Sequence, residues 1–318
     1  MSGPPVAAPR VSVLLPTYGR EELFCRALAD VLAQRHPAFE VIVLDQTPAH
    51  APETQAFLRE VAPRIRHVPL PRPGLMAALN RGLELARGDL VWLTDDDVQV
   101  ADPTLLERHE AAHADPRIGA VAGYEHDPRR PAGTRYDPRS ADPVWGWYYT
   151  AWDHDTRADV VTAPGCNVSF KRAVLEKVGG FDERFTGNAV RWENDVCLRV
   201  RGAAYRVVFE PGAKVIHQPS ASSGGCENHF LLGRTPPSHD WYATYFQNML
   251  YMTFKHLPWG AWPPVTWRLY RSHVLNRPYL GEGPAFVAAR HRVFVRGALA
   301  GWRTYRAWRR EAGPSPVP

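Results

Sequence analysis

Residues 89–97 carry the sequence Asp-Leu-Val-Trp-Leu-Thr-Asp-Asp-Asp, in which an apolar run ends at three consecutive aspartates. The run has the length of a buried β-strand, and the stretch before it, residues 75–87, has the apolar spacing of a helix. Apolar runs and helical stretches also alternate earlier in the chain, at 11–15, 21–34, 40–44, 52–62 and 65–70. This alternation predicts βαβ units, and therefore an α/β fold with a mostly parallel sheet flanked by helices.

The pattern beyond residue 100 predicts further elements and a change near residue 240. They are helices at 103–113, 172–178 and 192–201, and strands near 118–123, 159–163, 166–170, 205–209 and 213–216. From Trp241 the spacing favours helices, with breaks at Pro258, Pro263, Pro264, Pro278 and Pro284. We therefore expect a disordered N-terminus (1–9), a main domain (10–240) with halves at 10–123 and 124–240, and a helical C-terminal extension (241–318).

Composition points to a globular protein in a reducing compartment. Of the 318 residues, 45% are hydrophobic and 22% are charged, which is ordinary for a globular chain. The four cysteines lack the spacing of a zinc or redox motif and are too few for a disulfide framework. No apolar run is long enough to span a membrane, and Met1–Arg10 lacks the apolar core of a signal peptide. A cytoplasmic location is the resulting expectation.

The C-terminal extension is basic and aromatic. Trp241–Pro318 contains eleven lysines and arginines against two acids, Glu282 and Glu311. Such a helical segment can lie on the anionic inner face of a membrane as a peripheral contact. It can equally dock on the main domain or on a second subunit, and both alternatives stay open. No motif supports nucleic-acid binding by these arginines, so nucleic acid is not a predicted partner.

Carboxylates follow two of the predicted strands. Because side chains alternate along a strand, Asp95 and Asp97 should point the same way and suit a divalent cation that also holds phosphates. The alternative is a solvated acidic turn that caps the next helix. Asp45, after the strand at 40–44, can accept from a ribose hydroxyl or a base N–H. It can also be an ordinary turn residue.

Two other polar residues have both a chemical and a structural interpretation. Glu193 begins a predicted helix beside Trp192, where partial desolvation would raise its pKa toward the range of a general base. It can also be a first-turn acid stabilised by the helix dipole. His217 follows a strand and can bind a metal or a phosphate, although a purely structural histidine is the commoner case. The chain lacks the glycine motifs of P-loop NTPases and dinucleotide-binding enzymes and the nucleophile elbow of hydrolases.

In this order, the segments closely resemble the family-2 glycosyltransferases, which have the GT-A fold with a Rossmann-like sheet. The resemblance covers about residues 10–220. Its motifs are Val11–Tyr18, Val41–Asp45, Ala78–Gly82 with Ala86–Asp89, Asp95–Asp97 as the D-x-D motif, Gly165–Arg172, Gly179–Glu183 and Trp192–Asp195. Two positions depart from the family pattern: Gln46 replaces a second acid after strand two, and Trp192 replaces an acid before Glu193.

The resemblance implies an inverting, metal-dependent transfer of a sugar from a nucleoside-diphosphate sugar, with UDP favoured, to a hydroxyl of a sugar, lipid-linked or small-molecule acceptor. It implies Mn²⁺ or Mg²⁺ held by Asp95, Asp97 and His217. Glu193 takes the catalytic-base position, with Asp195 as the second candidate. The implied donor-binding residues are Pro16, Thr17, Tyr18, Arg20, Asp45, Asn80, Asp95 and Asp96. Residues 10–240 would be the catalytic domain, divided into nucleotide-binding and acceptor halves. Separately, the Ser, Gly and Pro content of the loop 218–240 suggests a lid that orders on donor binding.

Two rival functions remain at this stage. A nucleotidyltransferase shares the base-binding logic and the metal acids, but it usually has a glycine-rich loop after the first strand. Here that loop, residues 16–20, is short and contains one glycine. A non-catalytic nucleotide-sugar-binding module on the same fold would tolerate the loss of Glu193 or the aspartates.

Overall fold

The computed structural model describes residues 9–128, 133–149, 151–187, 189–218 and 239–312. The expected disorder at residues 1–8 and nearly all of the expected lid at 218–240 lie outside these ranges. The chain divides into two compact units. The first comprises Met1–Asp182 and Val196–Gly225, and the second comprises Glu183–Asp195 and Cys226–Pro318.

The first unit is built on a nine-stranded sheet. Its strand order is β3-β2-β1-β4-β8-β6-β9-β5, with β7 paired to β9. β4 and β6 each run antiparallel to β8, so β1, β2, β3, β4, β6 and β9 all point the same way. The bounds are β1 Val11–Thr17, β2 Phe39–Asp45, β3 Arg66–Pro69, β4 Leu90–Thr94, β5 Val98–Gln99, β6 Ile118–His126, β7 Ala158–Asp159, β8 Asn167–Lys171 and β9 Arg206–His217.

Helices cover the sheet through apolar stripes at helical spacing. In α1, Phe24, Ala27, Leu28 and Val31 are buried, as the i, i+3, i+4, i+7 pattern requires. Gly82 in α3 lets the helix approach the sheet closely, since a Cβ there would lie 2.8 Å from Leu14 and Leu44 side-chain atoms. The bounds are α1 Glu22–Leu32, α2 Pro52–Val61, α3 Leu75–Leu85, α4 Leu105–Ala112, α5 Arg172–Lys177 and α6 Trp192–Gly202.

Three strands differ from the sequence prediction, and one of them, β7, is limited to Ala158–Asp159 where a strand near 159–163 was expected. The short runs expected at 205–209 and 213–216 form one strand, β9, whose register against β6 shifts between Gly123 and Tyr124. A bulge of this kind keeps the ladder continuous across Pro211 and Gly212, which the sequence pattern suggested as a break. β5 was not predicted, because two residues carry no periodicity. It pairs antiparallel with β9 and places Val98 opposite His217.

A polar network crosses the core of the first unit. The Ser169 hydroxyl lies 2.9 Å from His109 Nδ1 and 2.9 Å from His113 Nε2. The Asn167 Oδ1 atom accepts from Trp92 Nε1 at 3.0 Å and lies 2.9 Å from His109 Nε2. All five side chains are buried, so these bonds satisfy groups that water does not reach.

The second unit confirms the predicted helical C-terminal region. Its helices are α7 His239–His256, α8 Trp262–His273, α9 Arg277–Gly281 and α10 Pro284–Ala312. The prolines expected to break the helices lie at or near helix starts, where a missing backbone N–H costs little. Among the helices that the structure describes, none is long and apolar enough to cross a membrane.

Close packing of α10 on α7 depends on two glycines. A Cβ at Gly297 would lie 2.6 Å from the Phe246 Cβ atom, and one at Gly301 would lie 2.8 Å from the Gln247 carbonyl oxygen. The segment 183–195 also packs on α7. Asn248 Nδ2 donates to the Thr186 carbonyl at 2.9 Å, and a Cβ at Gly187 would lie 2.6 Å from Thr244.

Candidate functional site

The polar residues predicted at strand ends meet at one edge of the sheet in the first unit. Thr17 ends β1, Asp95–Asp97 follow β4, and His217 ends β9. These three strands run in the same direction, so their carboxyl ends lie at the same edge. Open α/β sheets bind their ligands at this edge.

Arg20 is a buried counter-charge for the aspartates. It forms a short ion pair with Asp96 Oδ1, and its second terminal nitrogen lies 2.9 Å from Asp97 Oδ2. The Thr17 hydroxyl donates to the other Asp96 oxygen at 2.7 Å. Both carboxylate oxygens of Asp96 therefore contact other residues of the protein. This placement suits Asp96 to hold the turn and to orient Arg20.

His217 lies between two carboxylates. Its Nε2 atom is 3.2 Å from Asp97 Oδ1, and its Nδ1 atom is 2.9 Å from Glu125 Oε1. Burial alone would lower the pKa of His217, but these contacts raise it well above its usual value. The same hydrogen bond from His217 helps to lower the pKa of Asp97 against the effect of burial. The ring therefore lies where a cation could take the place of the proton that it shares with these carboxylates.

Asp95 carries a charge that the protein compensates poorly. Desolvation and the neighbouring charge of Asp97 raise its pKa to about 7. One ligand atom from each of Asp95, Asp97 and His217 lies within 4.8 Å of the others. A divalent cation would relieve both the desolvation and the repulsion, and carboxylate and imidazole suit Mn²⁺ and Mg²⁺. The donor set therefore fits the metal that the resemblance implies.

Asp45 ends β2 and is held by two histidines. Its Oδ2 atom lies 2.8 Å from His50 Nε2 and 2.8 Å from His67 Nε2, and the Thr47 backbone N–H donates to Oδ1 at 2.9 Å. Burial opposes ionisation, but these hydrogen bonds prevail and lower the pKa of Asp45 to about 2. The carboxylate is therefore ionised at neutral pH and held by three hydrogen bonds.

The other residues predicted to bind the nucleotide sugar have different environments. Pro16 is buried within β1, and Tyr18 is half-buried directly after it. The Asn80 side chain donates to the Phe181 carbonyl at 2.9 Å and accepts from the Phe181 N–H at 2.8 Å. This reciprocal pair ties α3 to the Gly-Gly-Phe turn, where Gly180 adopts a positive φ of 65° beside the Asn80 amide.

The acidic motif Trp192–Asp195 belongs to the second unit, where its two acids differ. Glu193 is half-buried, whereas Asp195 is 1% exposed. Asp195 Oδ1 lies 2.6 Å from Lys255 Nζ and 2.7 Å from His256 Nε2, both on α7. This arrangement gives Asp195 the environment of a buried ion pair.

Backbone strain precedes the acidic motif. Ala189 and Arg191 have φ values of 47° and 77°, which residues other than glycine rarely adopt. Such strain concentrates at functional sites because surrounding contacts must hold it in place. One of these contacts joins Arg191 Nε to Met249 Sδ on α7 at 3.2 Å.

Six residues that contact the predicted ones were not predicted from the sequence. For Glu125 a signal exists, because it lies at the carboxyl end of a predicted strand, as do Asp45 and Asp95. His67 lies in β3 beside β2, so strand pairing could have identified it. The others come from loops or distant helices and carry no local signal. The six are His50, His67, Glu125, Cys166, Lys255 and His256.

The family model for glycosyl transferase family 2 matches residues 12–179, more than half of the chain. The chain belongs to glycosyl transferase family 2. This confirms the resemblance inferred from the motifs and the class of enzyme, a glycosyltransferase.

Two relatives of the chain have different names and differ in how much of their own length the chain matches. The chain is 30% identical to the O-antigen biosynthesis protein RfbC of Myxococcus xanthus over 230 residues, which are 67% of this chain and 18% of RfbC. It is 28% identical to a glucosyl-dolichyl phosphate glucuronosyltransferase of Haloferax volcanii, over 66% of this chain and 69% of that protein. The match therefore spans only 18% of the length of RfbC.

Two solved structures confirm the predicted fold class. The mannosyltransferase PcManGT from Pyrobaculum calidifontis, in complex with GDP-Man and Mn²⁺, has a TM-score of 0.52 at 20% identity, over 98% of this chain and 78% of that one. S. aureus TarS 1-349, in complex with UDP-GlcNAc, has a TM-score of 0.58 at 15% identity, over 95% of this chain and 92% of that one. The glycosyltransferase therefore shares the fold of two proteins whose structures hold nucleotide sugars.

Proposed function

We propose that this glycosyltransferase moves a sugar, with inversion, from a UDP-sugar to an acceptor hydroxyl, with Mn²⁺ or Mg²⁺ as cofactor. One observation carries the proposal: ligand atoms of Asp95, Asp97 and His217 lie within 4.8 Å of one another at the carboxyl edge of the sheet. Membership of family 2 supports the transfer, and the ligands of the two structural neighbours support a nucleotide-sugar donor.

The nucleotide would lie along the carboxyl ends of β1 and β2. Asp45 is ionised and held by His50 and His67, which suits it to accept from a base N–H or a ribose hydroxyl. Tyr18, half-buried beside the end of β1, can pack against the base. Thr17, Arg20 and Asp96 support the turn that carries the other aspartates. Pro16 and Asn80 are the other residues that we propose on the side of the sugar donor.

Asp95, Asp97 and His217 would hold the metal ion against the donor diphosphate. When bound, the ion supplies positive charge that stabilises the departing nucleoside diphosphate. Arg20 remains paired with Asp96 and keeps the buried turn electrically balanced. His217 must then ligate as a neutral imidazole, so it gives up the proton that Asp97 and Glu125 otherwise stabilise.

Glu193 is the proposed catalytic base, accepting the proton of the acceptor hydroxyl as that oxygen attacks the anomeric carbon. The alternative, Asp195, is less suited because Lys255 and His256 already contact its Oδ1 atom. A carboxylate stabilised by a buried cation is a weak base. Asp195 then has a positioning role, in which it anchors the start of α6 to α7.

We also propose that the acceptor is lipid-linked and that α10 brings the enzyme to the inner face of a membrane, in the cytoplasm. The exposed positions Val295, Leu299 and Trp302 follow one another at i, i+4 and i+7 and form an apolar stripe. Arginines border this stripe at the exposed positions 292, 296, 303 and 306. A basic amphipathic helix of this kind binds anionic lipid surfaces.

Thermal shift with UDP, GDP, dTDP and CDP, each with and without Mn²⁺, tests the donor site. We expect UDP to raise the melting temperature only with metal, and Asp97→Asn to abolish that rise. Asp155→Asn, an exposed aspartate in a loop of the same unit, is the matched control and should respond like the native chain. If no nucleotide gave a metal-dependent shift, the proposal would be wrong.

A further inference from the structure

Glu125, Cys166 and His217 form a second group of metal-ligating side chains. Their ligand atoms, one from each residue, all lie within 4.8 Å of one another. Glu125 lies in β6, Cys166 directly precedes β8, and His217 ends β9. These strands are neighbours in the order β8-β6-β9, so the sheet fixes Glu125 and His217 and holds the turn of Cys166 at the start of β8. Ligands carried on rigid elements in this way are well preorganised.

The His217 ring faces this group and the Asp95–Asp97 pair with different nitrogen atoms. Nδ1 lies 2.9 Å from Glu125 Oε1, while Nε2 lies 3.2 Å from Asp97 Oδ1. An ion on the Glu125 side therefore needs only Nδ1. It leaves the carboxylates of Asp95 and Asp97 outside its own ligand set.

The chemistry of the two groups differs. Thiolate, imidazole and one carboxylate are preferred by zinc and by softer thiophilic ions, whereas Mn²⁺ and Mg²⁺ prefer oxygen-rich sites. Cys166 is 3% exposed, so its sulfur is shielded from bulk solvent and oxidants. Three protein ligands leave one position of a tetrahedral ion open for water.

We propose that Glu125, Cys166 and His217 form a second cation site that takes a thiophilic divalent ion, Zn²⁺ or Cd²⁺, next to the Asp95–Asp97 pair. As the ion binds, the Cys166 thiol and the Nδ1 atom of His217 each lose a proton to the water molecules that leave the ion. An ion bound there withdraws electron density from the His217 ring and repels a cation held by Asp95 and Asp97. Zn²⁺ is therefore an inhibitor of the Mn²⁺- or Mg²⁺-dependent transfer, a consequence that rests on the proposed function.

Titration of the full chain with Cd²⁺, followed by ultraviolet thiolate-to-metal charge-transfer absorption, tests the site directly. The native protein should develop a band that saturates at one ion per chain, and Cys166→Ser should not. Cys25→Ser and Cys226→Ser are matched controls and should keep the band. No band in the native chain, or an unchanged band in Cys166→Ser, overturns the proposal.

A second pair of variants keeps the test valid if Cys166→Ser fails to fold. Glu125→Gln removes a half-buried ligand and should weaken Cd²⁺ binding by about 10-fold or more while the band remains. Asp95→Asn should weaken it less. If Asp95→Asn weakened binding more than Glu125→Gln, the ion would belong to the Asp95–Asp97 pair and the proposal would be wrong. The readout uses no sugar donor, so it stands even if the proposed transfer reaction fails.

Discussion

The Nε2 atom of His217 lies 3.2 Å from the Oδ1 atom of Asp97, although 120 positions separate the two residues in the chain. The two-residue strand β5 brings them together, because it pairs Val98 with His217 directly after the aspartates. The Gln218 backbone N–H also donates to the Asp97 carbonyl at 2.7 Å. The proposed third metal ligand therefore depends on a backbone ladder that immediately adjoins Asp95–Asp97.

His217→Ala should weaken Mn²⁺ binding at least about 10-fold, because one of the three proposed protein ligands is lost. Electron paramagnetic resonance of free Mn²⁺ measures this affinity without any donor present. His291→Ala removes an exposed histidine of α10 and should leave the affinity unchanged. Equal affinities of the native chain and His217→Ala would remove His217 from the proposed metal site.

Glu193→Gln and Asp195→Asn should separate catalysis from stability. Glu193→Gln should lower turnover by roughly 100-fold or more, since general base catalysis is lost. Asp195→Asn should lower that free energy by roughly 3 kcal/mol, because it removes the carboxylate that buried Lys255 contacts. Urea unfolding and donor turnover, measured on both variants, give the comparison.

The opposite pattern would exchange the roles of these two acids. If Asp195→Asn were as stable as the native chain and lost turnover, while Glu193→Gln stayed active, Asp195 would be the base. The pair is well matched, since both changes replace a carboxylate by an amide within the same turn of α6.

The parallel half of the sheet was predictable from the sequence because β1, β2 and β4 are largely apolar. β1 and β2 end at the polar site residues Thr17 and Asp45, and β4 is followed at once by Asp95. Burial on both faces requires such runs, and the carboxyl edge of a parallel sheet gathers the residues that follow them. The positions of Thr17, Asp45 and Asp95 along this edge therefore follow from short-range patterns.

Long-range pairing could not be predicted from the same patterns. β5 is too short to show alternation, yet it determines the partner of His217. Glu125 and Cys166 approach His217 only because β8 and β6 insert between β4 and β9. Asp195 resembles a second catalytic acid in sequence, and only the fold of the second unit places Lys255 and His256 against it.

Replacing two arginines beside the apolar stripe of α10 should weaken binding to anionic vesicles. Each arginine near such a surface contributes about 1 kcal/mol, so Arg303→Gln with Arg306→Gln should reduce the partition coefficient roughly 30-fold. Co-sedimentation with vesicles containing phosphatidylglycerol measures it. The matched control is Arg35→Gln with Arg72→Gln, which changes the net charge equally at exposed positions of the first unit.

A purely general charge effect would weaken both double variants alike, and that result would contradict a specific membrane face on α10. Vesicles of phosphatidylcholine alone should bind the native chain weakly, because they offer no charge for the arginines. Leu299→Ser should reduce binding to the anionic vesicles as well, since the exposed Leu299 side chain would insert between lipid chains.

Stability should fall as the pH drops from 7 to 5, because His109 and His113 are buried as neutral rings. Burial lowers the pKa of His109 to about 4, and burial together with the nearby His109 lowers that of His113 to about 3. Unfolded histidine titrates near 6.5, so below that pH the unfolded state binds more protons than the folded one. Each histidine can then cost up to about 1.4 kcal/mol per pH unit.

The variant His113→Met isolates this contribution, since methionine fills a similar volume in the core but does not titrate. Urea unfolding at several pH values between 7 and 5 should show a smaller slope of stability against pH for this variant than for the native chain. His291→Gln, which alters an exposed histidine, should keep the native slope. If His113→Met kept the native slope too, His113 would be protonated in the folded core, and the Ser169 network would have to donate and accept in a different order.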